Sequence, residues 1–162
     1  MRTLLLLLIL NTSAFAQNAQ TEINQQVWKP FIKSFGEGDT DVFMSVHSKD
    51  VVRSARESKQ VWNWDQYKKI TAKGNEQSKK DKIVMSLVLH FTERINNDNQ
   101  AIEVGIYQTS WKMADGKSGV DYGRFHVVLR KENGTWKILV DTDSNEGGTI
   151  GEAQFNAAKP ME

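Results

Sequence analysis

The chain has 162 residues, of which 21 are Lys or Arg and 20 are Asp or Glu, with a formal net charge of +1 at pH 7. This balance excludes the strong overall charge that usually drives binding to nucleic acids or to anionic membranes. Cysteine is absent, which excludes disulfides and a cysteine nucleophile. Packing alone must therefore hold the fold together.

The N-terminal segment has the three parts of a secretory signal peptide. Arg2 supplies a positive charge, residues 4–10 are an apolar run, and Ala14 and Ala16 form an A-x-A cleavage site. The run is much shorter than the roughly 20 apolar residues of a membrane-spanning helix. We therefore predict a signal peptide over residues 1–16 and a periplasmic or secreted product that is not attached to a membrane.

The remainder of the chain has the size of one domain. Removing the first 16 of the 162 residues leaves 146, which is enough for one continuous core. Loss of Arg2 with this segment would leave 20 basic and 20 acidic residues. No internal repeat or interdomain linker is visible, so we predict a single domain over residues 17–162.

The first part of this domain has helical periodicity. Apolar residues recur at helical spacing over residues 23–35, and Pro30 within that pattern predicts a kink or a break. Asp39 or Thr40 is a suitable N-cap for a short second helix. Asn63 is a suitable N-cap for a third helix.

The second part has the patterns of β-strands. Apolar residues alternate over residues 83–91, residues 101–113 continue in extended style, and alternation returns over residues 125–129. The Asn-Gly pair at 133–134 is a strong hairpin signal, and residues 136–141 complete a fourth strand. Helices followed by an antiparallel meander predict an α+β domain with the helices on one face of the sheet.

Two sets of residues carry a resemblance to a known superfamily. The first set is Phe35, Asp39, Phe43, His47, Asp50, Val51 and Val52, followed by Tyr67. The second set is Glu103, Gly105, Tyr107, Tyr122, Gly123, Phe125, Gly134, Trp136, Lys137, Ile138 and Asp141. In order and spacing, both sets resemble the nuclear transport factor 2-like superfamily, which includes the SnoaL-like polyketide cyclases.

The resemblance implies a fold, a pocket and a mode of assembly. The fold is a strongly curved antiparallel sheet wrapped around the N-terminal helices to form a cone, with a pocket at its open end. Members often form homodimers through the outer face of the sheet. Because the superfamily holds isomerases, dehydratases, cyclases and members without chemistry, the function has to be argued from the site.

Two carboxylates follow the last predicted strand. Asp141 and Asp143 are two residues apart, so on an extended chain they share a face with Leu139, opposite Ile138. If Asp141 points into the cone, an apolar wall would raise its pKa and suit it to general-base catalysis. In the alternative interpretation, both carboxylates cap the following turn or the final helix.

The same segment partly matches a calcium-binding loop. Residues 141–145 read D-x-D-x-N, and Glu152 is twelfth from the start. The match fails at Glu146, where the sharp turn of an EF-hand loop requires Gly, and at Gly148. We therefore expect a Gly-rich turn into a short C-terminal helix.

The remaining motifs give no sign of a metal or an organic cofactor. His47, His90 and His126 share no short spacing typical of a metal site, so we expect each to be structural or exposed. The chain has no phosphate-binding loop, no dinucleotide fingerprint and no nucleophile elbow. We predict that the protein uses no cofactor.

Arginine and aromatic residues are the candidates for ligand contact. An Arg that faces the interior of the cone would pair bidentately with a carboxylate, which makes Arg53 the candidate clamp. Aromatic side chains could line an apolar cavity. The predicted ligand-binding set is Arg53, Trp62, Tyr67, Tyr107, Trp111 and Asp143.

Three functions remain open at this point. The first is binding of a small, largely apolar molecule in the cone. The second is a proton-transfer enzyme of the isomerase, cyclase or dehydratase type, with Asp141 as the base, Tyr107 as an oxyanion donor and Arg53 as the clamp. The third is a dimeric interaction module that uses the strands around Tyr122–Arg130 and has a vestigial pocket.

Overall fold

A computed structural model describes residues 18–162 of the chain. The predicted signal peptide, residues 1–16, and the predicted first mature residue, Gln17, lie outside the described residues. The helices are α1 (residues 18–37), α2 (Thr40–Ser45), α3 (Trp64–Lys80) and α4 (Glu152–Ala157). The strands are β1 (His47–Ala55), β2 (Gln60–Trp62), β3 (Val84–Asn96), β4 (Gln100–Lys112), β5 (Ser118–Glu132), β6 (Thr135–Ser144) and β7 (Lys159–Pro160).

The strands form one curved sheet in the order β2-β1-β6-β5-β4-β3-β7. The predicted meander is confirmed, because β3 to β6 pair antiparallel with their neighbours in sequence. Strand β1 is the exception, since it pairs parallel to β6. This crossover brings the beginning of the domain beside its last long strand, which sets the position of the candidate site.

The helix boundaries follow local capping chemistry. The carboxylate of Asp39 accepts a hydrogen bond from the backbone N–H of Val42 at the start of α2. Asn63 forms a capping box with Gln66 at the start of α3. Both predicted caps are confirmed, and each satisfies backbone donors that have no partner within the helix.

Helix α1 continues through Pro30 to Glu37 rather than breaking there. Its irregularity lies one turn earlier, where Asn24–Trp28 is π-helical. Proline lacks the N–H that an α-helix needs, and a π-bulge is one way to absorb the lost hydrogen bond. Of the predicted kink or break, the break therefore does not occur, and the helix places one continuous apolar face on the sheet.

Two β-bulges interrupt the antiparallel pairing of the described strands. Thr92 is an extra residue in β3 opposite β4, and Leu139 is an extra residue in β6 between Ile138 and Val140. Bulges of this kind bend a strand and increase its twist. They curve the sheet around α1.

The bulge at Leu139 also reverses the side-chain alternation of β6. Ile138 and Asp141 are both buried and line the same cavity. The prediction that they point to opposite faces was therefore wrong. Strict alternation holds only for a regular strand, and one extra residue moves every later side chain to the other face.

A buried ion pair ties α1 to the inner face of the sheet. Arg94 on β3 and Glu103 on β4 approach to 3.0 Å, and the Glu103 side chain is fully buried. The indole N–H of Trp28 and the amide of Gln20 also donate to the Glu103 carboxylate. Burial of a charge is tolerated when it is paired and fully hydrogen-bonded, as here.

Helix α4 packs on the outer face of the sheet, unlike the other three helices. The ring of Phe155 stacks on His90 with a centroid separation of 3.9 Å, and the His90 Nδ1 donates to the carbonyl oxygen of Phe155. Phe155 also packs with Ile106 and Tyr122. The three helices that precede the meander lie on one face of the sheet, as predicted, and α4 covers part of the outer face.

Candidate functional site

A cavity of about 240 Å³ lies between the inner face of the sheet and helices α1, α2 and α3. Aromatic rings form much of its lining, from Trp28, Phe31, Phe35, Phe43 and Phe125. The aliphatic part of the lining comes from Leu87, Leu89, Val127 and Ile138. An apolar, aromatic lining with few polar groups is typical of small-molecule sites.

The polar groups of the cavity are concentrated near β1 and β6. The parallel register of these strands places Arg53 opposite Asp141. The hydroxyl of Tyr67, on α3, donates to Asp141 Oδ2 at 2.8 Å. The same oxygen lies 3.5 Å from His47 Nε2 and 3.8 Å from Arg53 Nε. Three side chains, two from β1 and one from α3, therefore converge on one buried carboxylate.

Arg53 is committed to partners within the protein. One of its terminal nitrogens donates to the carbonyl oxygen of Ser54 at 2.7 Å and to that of Asp141 at 3.4 Å. The other donates to Asp143 Oδ1 at 2.8 Å. Its Nε has no hydrogen-bond partner among the described residues but is buried and faces Asp141, so Arg53 is not the open carboxylate clamp that the sequence predicted.

Asp141 does face the cavity, but its pKa moves in the direction opposite to the prediction. Burial raises the pKa of its carboxyl. Three neighbours have the opposite effect: the positive charge of Arg53, the His47 imidazole 3.5 Å away, and the hydrogen bond from Tyr67. Together they outweigh the effect of burial and lower the pKa of Asp141 to about 2. The apolar wall expected from the sequence is interrupted by these three groups. Asp141 is therefore a stable anion and a weak base.

The pKa of Asp143, two residues later, moves in the opposite direction to that of Asp141. Burial raises the pKa of its carboxyl, and the opposing charge of Arg53 is too weak to reverse that rise. The pKa of Tyr107 is raised to about 12 by burial and by the charge of Asp143. Tyr107 therefore keeps its proton at neutral pH. Two carboxylates with pKa values moved apart are a common arrangement at proton-transfer sites.

His47 also belongs to this cluster, although we expected it to be structural or exposed. Its Nδ1 lies 2.9 Å from the carbonyl oxygen of Phe43 and must donate, since a carbonyl only accepts. Its Nε2 is buried, has no hydrogen-bond partner among residues 18–162, and faces Asp141. Because Nδ1 holds the single hydrogen of a neutral imidazole, Nε2 can donate to the Asp141 carboxylate only when the ring is an imidazolium. Nothing in the sequence spacing links His47 to Asp141, which is 94 positions later.

Five of the predicted site residues line the cavity: Arg53, Tyr67, Tyr107, Asp141 and Asp143. The two predicted tryptophans do not. Trp62 packs beside Tyr67 on the edge strand β2. Trp111 lies four residues beyond Tyr107 on β4, roughly 13 Å along the strand, against Gly119.

The position of Tyr107 depends on the glycine across from it. Tyr107 pairs with Gly123 on β5, and a Cβ atom at Gly123 would lie 2.3 Å from the Tyr107 hydroxyl oxygen. No side chain fits in that space. The absent side chain lets the phenol ring lie across β5 at the rim of the cavity.

The aromatic rings that α1 and α2 contribute to the lining were not predicted as site residues, although Phe31 and Phe35 belong to the helical pattern over residues 23–35. Asp121 and Thr109, at the rim, gave no signal in the sequence. Whether a core residue contacts its neighbours or lines a gap depends on how far the curved sheet diverges from α1. The spacing of apolar residues in the sequence does not predict the distance between the sheet and α1.

The segment after β6 forms a turn, as predicted. Asn145 caps the short 3-10 turn Glu146–Gly148, and α4 begins at Glu152. Within residues 18–162, no three His, Asp or Glu side chains are grouped closely enough to hold a metal ion. No helix in the same range has the length and apolarity needed to cross a membrane.

Comparison with solved structures identifies the architecture. A protein of unknown function from Shewanella oneidensis, described as NTF-2 like, matches with a TM-score of 0.61 and 20% identity over 76% of this chain and 98% of that one. This chain has the nuclear transport factor 2-like fold. The predicted curved α+β fold and the predicted fold relationship are thereby confirmed.

Two further solved structures share this fold. An uncharacterised protein with a cystatin-like fold from Caulobacter vibrioides matches with a TM-score of 0.63 and 13% identity over 86% of this chain and 95% of that one. A ketosteroid isomerase-like protein from Erwinia carotovora matches with a TM-score of 0.59 and 13% identity over 76% of this chain and 93% of that one. No protein-family model matches the chain, and no curated protein matches its sequence significantly.

Proposed function

We propose that this protein binds a small, largely apolar molecule in the cavity between α1 and the sheet. The observation that carries the proposal is the aromatic lining, which meets polar groups on one wall only. Such a site buries the body of a ligand and orients it with a few hydrogen bonds. The cavity of about 240 Å³ is smaller than the roughly 300–1,000 Å³ typical of drug-sized ligands, which favours a ligand of one or two rings.

A cavity-filling variant with a matched control tests the proposal. Leu87 lines the cavity, whereas the next residue, Val88, points to the outer face of the sheet. A panel of small aromatic molecules is screened by thermal shift against the wild type, Leu87→Phe and Val88→Phe. Binding to the native state raises the melting temperature by mass action.

We expect some members of the panel to stabilise the wild type and Val88→Phe but not Leu87→Phe. A panel without any stabilising compound would count against the proposal. So would compounds that stabilise Leu87→Phe as strongly as the wild type, since they would bind elsewhere.

A second candidate function, proton transfer, is supported by Asp143 rather than by Asp141. The Asp143 carboxylate lines the cavity, its side chain is 28% exposed, and its pKa is raised. A base with a raised pKa removes protons at neutral pH more effectively than the Asp141 carboxylate, whose pKa is about 2. Tyr107 retains its proton and is available as a donor to a developing oxyanion.

We further propose that the protein works outside the cytoplasm, as the N-terminal segment predicts, and that it self-associates. Val88 and Val120 are exposed on β3 and β5 and pair with Gln108 and Ser110, which are neighbouring positions on the outer face of β4. Adjacent exposed apolar side chains favour association between copies of a chain. A dimer is compatible with ligand binding in the cavity, because it would use the opposite face of the sheet.

A further inference from the structure

The charges that line the cavity identify the class of ligand, provided that the proposed ligand binding is correct. Among the described residues, Arg53 is the only cationic side chain of the lining, and Asp121, Asp141 and Asp143 are the anionic ones. Glu57 lies close enough for its negative charge to raise the pKa values of Asp143 and Tyr107. The carboxylates therefore outnumber the cations.

The single arginine does not make the site attractive to anions. Arg53 already shares its single positive charge between Asp141 and Asp143, and its two terminal nitrogens donate within the protein. The Arg53 Nε has no hydrogen-bond partner among the described residues, but it is buried and lies 3.8 Å from Asp141 Oδ2, so a ligand carboxylate would compete with Asp141 and Asp143 for the same positive charge. Leaving a protein carboxylate buried without its counterion is costly.

Hydrogen-bond acceptors, in contrast, remain open at the rim. Among residues 18–162, Asp143 accepts a hydrogen bond at Oδ1 only, from Arg53, which leaves Oδ2 open. The side chain of Asp121 is exposed and has no ion pair or hydrogen bond to the described residues. The Tyr107 hydroxyl is likewise not bonded to any of them, and its ring lies across Gly123 at the rim.

These open groups have the chemistry that an ammonium requires. A primary ammonium has three N–H donors and a positive charge, and charged hydrogen bonds to carboxylates are roughly twice as strong as neutral ones. Beyond the rim, the rings of Trp28, Phe31 and Phe35 provide an apolar interior. We infer that the ligand is an amine with a small aromatic or aliphatic body, held by its ammonium at Asp143, Asp121 and Tyr107.

Three probes of nearly equal size and shape test this inference: phenethylamine, phenethyl alcohol and hydrocinnamate. Their affinities are measured at pH 7 by calorimetry with the full-length protein. We expect the amine to bind roughly 10-fold more tightly than the alcohol, as one charged hydrogen bond provides. We expect hydrocinnamate not to bind.

Two variants assign the preference to the site. Asp143→Asn removes one negative charge and leaves more of the Arg53 charge uncompensated, so it should reduce the advantage of the amine and weaken the exclusion of hydrocinnamate. Asp121→Asn concerns an exposed residue and provides the same test if Asp143→Asn does not fold. Asp98→Asn, in the exposed turn between β3 and β4, is the control and should keep the wild-type preference.

The outcomes separate this inference from the proposed function. Equal affinity for amine and alcohol, tighter binding of hydrocinnamate, or an amine preference that persists unchanged in both site variants would overturn the inference alone. Failure of all three probes, while other apolar compounds bind the wild type but not Leu87→Phe, would also overturn only the inference. Failure of every compound would overturn both.

Discussion

Tyr67 and Asp141 share a hydrogen bond of 2.8 Å that joins helix α3 to strand β6 at the wall of the cavity. Both side chains are buried, and Arg53 adds its charge to the same carboxylate. The residues that define the candidate site therefore also hold the domain together. Stability and the proposed function therefore depend on the same residues.

The low pKa of Asp141 predicts a loss of stability in acid. Its carboxyl has a pKa of about 2 in the folded protein, against an ordinary value of 3.8. A lowered folded-state pKa gives stability that is fully present above pH 3.8 and is lost as the pH falls to 2. The shift corresponds to roughly 2 kcal/mol of unfolding free energy.

Urea denaturation of the wild type and Asp141→Asn at several pH values measures this contribution. We expect the variant to be less stable by roughly 2 kcal/mol at pH 7, with the difference shrinking toward pH 2. Asp98→Asn, an exposed substitution, should follow the wild type throughout. A difference that stays constant between pH 7 and pH 2 would show that the contribution of Asp141 does not depend on its ionisation.

Gly123 should be intolerant of even one added methyl group. In Gly123→Ala the new Cβ would meet the Tyr107 hydroxyl at 2.3 Å, so the ring has to leave its place. Overpacking of this kind costs about 1–3 kcal/mol. The double variant Gly123→Ala with Tyr107→Ala should recover much of that loss, because the clashing ring is then absent.

Gly74→Ala is the matched control for this experiment. Gly74 lies within α3 with open space around it, so alanine should stabilise the helix by up to about 1 kcal/mol. Urea denaturation measures the unfolding free energies of the wild type and of each variant. If the effects of Gly123→Ala and Tyr107→Ala on the unfolding free energy were simply additive in their double variant, the proposed contact between residues 123 and 107 would be wrong.

The features that could be predicted from the sequence are local ones. The caps at Asp39 and Asn63 depend on backbone groups within three residues, and the turn at Asn133 depends on a left-handed conformation that asparagine tolerates. The meander follows from alternation within each strand. In each case the determining interaction lies within a few positions of the residue that reveals it.

The features that could not be predicted depend on distant partners. Arg53 is neutralised because β1 lies parallel to β6, and these strands are 88 positions apart at the contact. The bulge at Leu139 fits β6 to the curvature of the whole sheet and reverses the face of Asp141. Alternation alone placed Asp141 on the correct strand but on the wrong side of it relative to Ile138.

Export is testable by mass. If residues 1–16 are a signal peptide, the intact mass of the protein recovered from the periplasm or the medium should correspond to a chain that begins at Gln17. Ala16→Arg, which disrupts the A-x-A site, should leave the uncleaved precursor. Recovery of a wild-type chain that still contains residues 1–16 would contradict the export proposal.

Self-association through the outer face predicts a concentration-dependent dimer. Val88, which is 43% exposed on β3, lies in the proposed contact, whereas Val61, which is 65% exposed, lies on the edge strand β2. Light scattering coupled to size exclusion should show that Val88→Asp is monomeric and that Val61→Asp still dimerises. A monomeric wild type at high concentration, or equal dimers in both variants, would contradict a contact at this face.

The pair formed by Arg94 and Glu103 should be the most sensitive charged contact of the core. Glu103→Gln keeps an oxygen that can accept from the Trp28 indole, but it leaves the Arg94 charge in a largely buried position without a counterion. Loss of one member of a buried ion pair costs about 3–5 kcal/mol, mostly from the charge that remains. Glu93→Gln, at an exposed position on the same strand as Arg94, is the control and should change the unfolding free energy by less than about 0.5 kcal/mol.

A double variant separates charge from packing at this pair. If the unpaired guanidinium causes the loss, Glu103→Gln with Arg94→Met should be more stable than Glu103→Gln alone, because methionine retains the apolar stem and removes the charge. The effect is large enough to resolve by urea denaturation. A double variant that is less stable than either single variant would instead mean that the hydrogen bonds of Arg94 to Asn24 and to the carbonyl oxygen of Met161, rather than its pairing with Glu103, hold α1 against the sheet.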